Sequence, residues 1–179
     1  MKRLTDFETL LSASLSRRVI EDIVRSVSSY PEDFQHLYDL IKLKDNEKAS
    51  WRAAWACEKL CEIAPELFMD KRSEMMQLAI TQKNDSKKRL LLSMLYDLPL
   101  KDVFSTNFLN TCLDWMFSPK ESIGVQALSI RMAYKLCEYE PELLPELQLY
   151  LESAETEYMS TGVKTTVKNV LKKINKKKK

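Results

Sequence analysis

Glycine and histidine are scarce in this 179-residue chain, which contains 2 Gly, 1 His and 6 Pro. Because Gly124 and Gly162 are the only glycines, the chain cannot form a glycine-rich phosphate loop or a dinucleotide-binding fingerprint. The shortage of turn-forming residues also disfavours a fold built from β-hairpins. The many Leu, Met, Lys, Glu and Ala residues instead predict an all-α protein.

Side chains suited to catalysis are equally few. His36 is the single histidine, and no Ser or Cys lies in a recognisable nucleophile motif, so the simpler interpretation of His36 is a partly exposed helical residue. Cys57 and Cys61 lie one helical turn apart, but no second Cys or His pair completes a structural zinc site. We therefore predict buried packing thiols, no cofactor, no metal and no enzymatic activity.

The N-terminal segment, residues 1–8, has acids where a signal peptide has its apolar region. No apolar run approaches the roughly 20 residues that a membrane span requires. The four cysteines are expected to be reduced in a chain without an export signal. These features predict a soluble cytoplasmic protein with no membrane partner.

Charge is unevenly distributed along the chain. Residues 162–179 hold eight lysines and no acid, which leaves 20 basic and 26 acidic residues in residues 1–161. We predict one helical domain over residues 1–174 and a basic, disordered tail over residues 175–179. Such a tail can add nonspecific affinity for nucleic acid or an anionic surface, although a solvated extension is the more common case.

Prolines mark an internal repeat. They are separated by 34, 34 and 42 residues, and proline is tolerated in the first turn of a helix, so each can open the second helix of a hairpin. These prolines are Pro31, Pro65, Pro99 and Pro141. Alignment on them gives two rows four positions apart, which share one helical face and are predicted to be buried. The rows are Ile23, Cys57, Leu91 and Ala133, followed by Val27, Cys61, Leu95 and Cys137.

Helical apolar spacing continues on both sides of these rows. Between the hairpins lie polar breaks, residues 44–47, 83–86 and 118–121, whose Asn, Asp and Ser residues can cap the next helix. The apolar stripes are Phe34, Leu37, Tyr38 and Ile41; then Phe104, Phe108, Leu109, Cys112, Met116 and Phe117; and finally Val163, Val167, Val170, Leu171 and Ile174. We predict about four hairpins, a terminal helix and a leading segment over residues 1–12.

A unit of two antiparallel helices with proline near the second helix resembles the HEAT and armadillo repeats. The resemblance covers residues 15–174. It implies an alpha-alpha superhelix of about four to five hairpins, in the small single-domain form of bacterial type. It also implies a non-catalytic scaffold whose partner is another protein or peptide.

Equivalent positions of successive repeats stack along one surface, so the proline alignment also predicts a binding strip. Tryptophan and arginine, which are favoured at interaction hot spots, recur beside the buried rows and suit an acidic partner. The predicted binding residues are Trp51, Arg52, Trp55, Lys59, Arg89, Arg131 and Lys135. The alternatives are that these side chains are solvated and pair with acids one turn away, or that the second helices form the binding face.

Residues 51–55, Trp-Arg-Ala-Ala-Trp, are also similar to the aromatic and basic helices of the HEAT-like DNA glycosylases of alkylation repair. That resemblance implies nucleic acid as the alternative partner. Catalysis is not expected, because no Asp follows within a turn and the body of the chain is acidic. The sequence leaves the oligomeric state open.

Overall fold

The computed structural model describes residues 3–13, 16–155, 157 and 159–177, with the side chain of Lys177 left out. These residues form ten α-helices and no strand, which confirms the predicted all-α fold. The helices are α1 (Phe7–Ser12), α2 (Arg17–Ser29), α3 (Phe34–Asp39), α4 (Glu47–Ile63), α5 (Arg72–Thr81), α6 (Asp85–Asp97), α7 (Thr106–Met116), α8 (Ile123–Cys137), α9 (Leu144–Glu152) and α10 (Thr161–Lys177).

The prolines act as predicted in three of four positions, but through short 3-10 helices. Pro31 begins the 3-10 helix Pro31–Asp33 before α3, Pro65 begins Pro65–Lys71 before α5, and Pro141 begins Pro141–Leu143 before α9. Pro99 differs, since it precedes the 3-10 helix Lys101–Val103 and begins no helix. A fixed φ near −65° and a missing N–H suit the first residue of a 3-10 turn as well as that of an α-helix.

The chain divides into two compact units, Met1–Arg72 and Ser73–Lys179. The centre of the first unit is α4, which contacts α1, α2 and α3. Its fully buried alanines, Ala49, Ala53, Ala54 and Ala56, let the neighbouring helices approach closely. Phe7 and Leu11 of α1 are also buried, so the predicted leading segment covers part of this core.

Aromatic and polar contacts complete the core of the first unit. The rings of Phe34 and Phe68 meet edge to face with centroids 4.8 Å apart. Ser50 is fully buried on α4, and its Oγ donates a hydrogen bond of 2.6 Å to the carbonyl of Ile41. Both contacts connect segments that are separated in sequence, and they fix the 3-10 turns beside α4.

The second unit is organised around α8, which packs against α6, α7, α9 and α10. The α10 residues Val163, Val167, Val170 and Ile174 are buried at the spacing predicted for a terminal helix. All eight residues of the two aligned rows are buried, four in each unit. The prediction that these rows form helix faces in the interior is confirmed.

Two of the three polar breaks cap the following helix. The side chain of Asn46 accepts a hydrogen bond of 3.1 Å from the N–H of Ala49 at the start of α4, and Asn84 accepts one of 3.0 Å from Lys87 at the start of α6. Ser122 occupies the same position before α8 but makes no side-chain cap bond. The asparagine caps therefore explain why α4 and α6 begin where the sequence predicts.

The lysine-rich end of the chain is helical as far as it is described. Helix α10 continues to Lys177, three residues beyond the predicted domain boundary at residue 174. Lys178 and Lys179 lie outside the described residues. The division into one domain and a tail stays a prediction. In the part of the chain that the structure describes, no helix has the length and apolar character needed to cross a membrane.

Candidate interaction surface

Two tryptophans lie one turn apart on α4. The rings of Trp51 and Trp55 stack with centroids 6.1 Å apart and an interplanar angle of 27°, and both residues are half-buried. Nε1 of Trp51 is buried and donates no hydrogen bond to any described residue. The two stacked rings therefore form an aromatic patch on α4.

Arg52 lies between the two tryptophans in sequence but not on their surface. It is only 6% exposed. Its Nη1 donates hydrogen bonds of 2.5 Å and 2.9 Å to the carbonyls of Leu11 and Ala13, at the end of α1. The guanidinium of Arg52, one of the predicted binding residues, thus donates to carbonyls that the end of α1 leaves free.

Lys59 is the last predicted binding residue on α4, and acids already surround it. Its Nζ lies 2.5 Å from a carboxylate oxygen of Glu62 and 3.7 Å from one of Glu58. The hydrogen bond to Glu62 raises the pKa of Lys59, and Glu58 adds to the effect. A shallow depression beside it is lined by Glu21 and Arg25 of α2. This half of the predicted strip has mixed charge rather than a basic character.

Arg89 and Arg131 are exposed in the second unit, as the sequence predicts. The stem of Arg89 lies against Gly124, where an added Cβ would come within 2.9 Å of its Cδ. Gly124 thus leaves room on α8 for the arginine of α6. The guanidinium of Arg131 lies over the ring of Tyr96, 4.7 Å from the ring centroid.

Lys135 is half-buried and has an internal role. Its Nζ donates hydrogen bonds to the carbonyls of Leu95, Tyr96 and Leu98 at the C-terminal end of α6. Burial lowers the pKa of Lys135, against the opposing effect of Asp97 and Glu138. The ammonium of Lys135 caps the negative end of the α6 dipole. Its N–H groups are therefore engaged inside the protein and contribute little to the binding of a partner.

The structure places three lysines of α10 beside Arg131: Lys172 and Lys173 from the end of the predicted domain, and Lys176 from the predicted tail. Together they line a depression that we call the basic groove, and none of the described residues lining it is acidic. Its residues are Tyr96, Arg131, Thr166, Asn169, Val170, Lys172, Lys173 and Lys176. A sequence signal existed, because burial of Val163, Val167, Val170 and Ile174 places Thr166, Asn169, Lys173 and Lys176 along one adjacent strip of the helix.

Comparison with known protein families identifies the fold that carries these surfaces. The family described as HEAT repeat domain matches residues 7–174. The chain belongs to the HEAT repeat domain family. Comparison with curated proteins and with solved structures gave no match.

Groups with catalytic potential are placed unfavourably in this HEAT repeat chain. The four cysteines are buried free thiols, as predicted. Burial raises the pKa of Cys57 and Cys112, and it raises the pKa of Cys137 to about 11. His36 is exposed on α3 with its ring 5.4 Å from that of Phe7. Among the described residues, no cluster of His, Cys, Asp and Glu could hold a metal ion.

Proposed function

We propose that this HEAT repeat protein is a non-catalytic interaction module that binds an acidic segment of a partner protein in the basic groove. The observation that carries the proposal is the concentration of Arg131, Lys172, Lys173 and Lys176 around one depression with no described acid in its lining. Charge complementarity of this kind steers a partner and selects against the wrong one. A cytoplasmic location fits this proposal and stays a prediction.

The polar side chains of the groove support an extended acidic peptide. Thr166 and Asn169 lie among the cations and supply hydrogen-bonding groups beside the charges. Lys172 and Lys176 lie four residues apart on α10, so they point to the same side of the helix. A partner segment with carboxylates spaced along it can meet both.

An acidic protein segment suits the groove better than nucleic acid. The two nearby rings already contact cations of the protein: Arg131 and Lys135 lie over Tyr96, and Lys173 lies over Tyr134. Stacking of bases on aromatic side chains supplies much of the affinity of proteins for single-stranded nucleic acid. These two rings are already covered by the protein's own cations, so they offer little stacking surface to a base. In addition, the excess of acids in residues 1–161 repels a long polyanion beyond the groove.

Binding of a labelled Asp- and Glu-rich peptide tests the proposal, with its Asn and Gln counterpart as the uncharged control. Lys172→Gln together with Lys176→Gln removes two groove charges, whereas Lys164→Gln together with Lys168→Gln removes two exposed charges of the same helix outside the groove. We expect the groove pair to weaken binding about five-fold or more and the control pair less than about two-fold.

Two results would contradict the proposal. Equal loss in both double variants would mean that only net charge attracts the peptide. Tighter binding of a DNA duplex or single strand than of the acidic peptide at moderate salt, with the same dependence on Lys172 and Lys176, would favour the nucleic-acid function instead.

A further inference from the structure

A second groove lies in the same unit, between α7 and α9. The residues of α7 that line it include Thr106, Leu109 and Leu113, and those of the α9 segment include Leu143 and Leu147. Their spacings of three and four residues mean that each helix turns one continuous face toward the groove. We call this depression the α7–α9 groove.

The floor of the α7–α9 groove is apolar and partly open. Leu109 and Leu147 form its base and are 4% and 3% exposed. Leu113 and Leu143 are half-buried at the sides, and Tyr150 is 44% exposed at the edge. Contiguous apolar area of this kind is typical of a site that binds another chain.

The rim of the groove is acidic. Asp114 of α7 and Glu146 of α9 line it, both are exposed, and neither forms an ion pair with a described residue. The surrounding sequence strengthens this charge, because no Lys or Arg occurs in residues 102–119 or 136–163. The second of these segments contains seven glutamates. The groove therefore combines an apolar floor with a negative potential.

We propose that the α7–α9 groove binds a basic amphipathic helix of a partner protein. Such a helix places apolar residues at i, i+3 or i+4, and i+7 against the leucine floor, and its flanking Lys or Arg residues meet Asp114 and Glu146. An acidic segment is repelled by the same rim. The site shares no lining residue with the basic groove and differs from it in charge and in partner, so neither proposal depends on the other.

A model peptide of about 18 residues tests the proposal, with leucines along one helical face and lysines on the other. Its matched control has the same composition in an order that breaks the helical spacing. A second control replaces each Lys by Glu. We expect the amphipathic basic peptide to bind at least about five-fold more tightly than the reordered one and the acidic version not to bind measurably.

Variants connect that affinity to the groove. Asp114→Asn with Glu146→Gln removes the rim charges, and Tyr150→Ala removes part of the apolar edge. The control pair is Glu142→Gln with Glu152→Gln, which changes the charge equally at exposed positions outside the lining. We expect an about five-fold loss in each groove variant and less than about two-fold in the control pair, with unfolding temperatures that confirm intact folding.

Three results overturn the proposal. The reordered peptide binding as tightly as the amphipathic one would show attraction by charge alone. Equal weakening by the groove pair and the control pair would place the binding elsewhere. A dimer in sedimentation experiments without peptide, dissociated by Asp114→Asn with Glu146→Gln, would make a second copy of this chain the occupant. Lys172→Gln with Lys176→Gln leaves the binding of the amphipathic peptide undiminished, which separates this test from that of the basic groove.

Discussion

Nζ of Lys88 lies 2.6 Å and 2.7 Å from the two carboxylate oxygens of Glu121, and the side chains are only 8% and 11% exposed. The ammonium also lies 4.6 Å from the ring centroid of Trp115. This ion pair joins α6 to the segment before α8, and the ring beside it belongs to α7. Both charged groups are buried away from water, so each is stabilised in the interior by the opposite charge of its partner.

We expect Glu121→Gln to lower the free energy of unfolding by about 3–5 kcal/mol, because it leaves the ammonium of Lys88 buried without its counter-charge. Replacing both partners, by Lys88→Met with Glu121→Leu, should recover most of that loss. The exposed pair of Arg17 and Glu21 is the control, since Arg17→Gln should cost less than about 1 kcal/mol. Urea unfolding measures all three, and equal costs for both single variants would contradict the burial argument.

Arg52 provides a second stability test, within the first unit. Arg52→Met keeps an apolar stem but leaves the carbonyls of Leu11 and Ala13 without their donor. We expect a cost of about 2–3 kcal/mol for hydrogen bonds from a charged group. Amide exchange should accelerate most in α1, while the centre of α4 keeps its protection. Arg18→Gln, an exposed change on α2, is the control, and unchanged exchange in α1 would contradict this role of Arg52.

Acid should weaken the contact between Arg3 and Asp33. The two make hydrogen bonds of 2.6 Å and 2.8 Å, which lower the pKa of Asp33 below its ordinary 3.8. For a carboxyl whose pKa is lower in the folded state, the stabilisation is fully present above the ordinary value. This stabilisation is lost as the pH falls through the pKa of the carboxyl in the folded state.

The carboxyl titration of Asp33, followed by NMR, checks this prediction. Arg3→Gln should raise the pKa of Asp33 toward 3.8 and reduce stability at pH 7. Asp6 is an internal control, because its pKa is lowered chiefly by the hydrogen bond from Thr9 at the start of α1. A shift of both carboxyls in Arg3→Gln would mean that the substitution disturbs the whole leading segment.

The cysteines should be almost inert toward thiol reagents. All four are at most 4% exposed, and burial raises the pKa of Cys57, Cys112 and Cys137, so little reactive thiolate forms near pH 8. We expect no stoichiometric labelling of the native protein within minutes and labelling of all four in denaturant. Rapid native labelling of Cys57 or Cys61 would show that the α4 face is not in the interior.

The sequence predicted much of the fold because the signals are local. A four-residue spacing of Ile23 and Val27, or of Cys57 and Cys61, creates one helical face wherever the chain goes next, and both pairs are buried. Asn46 and Asn84 act on N–H groups three residues away, so their caps follow from the same short range. Pro99 was an exception, since proline is compatible with several turn conformations.

The candidate site was predicted less completely, because it depends on where free carbonyls and cations meet. Arg52 and Lys135 have the same chemistry as Arg89 and Arg131, yet the first two donate to carbonyls at the ends of α1 and α6 while the other two stay exposed. These carbonyls lie about 40 residues away in the chain, beyond the reach of any spacing rule.

The amino-acid sequence by itself determined the helices and the apolar rows that they bury, since these follow from periodicity and from contacts within a turn. Only the tertiary structure decided which charges remain free. It placed Lys172 and Lys176 beside Arg131, and it separated an acidic rim at Asp114 and Glu146 from them. The physical reason is that a charge is neutralised or left available by its neighbours in space, and packing of one helix on another selects those neighbours.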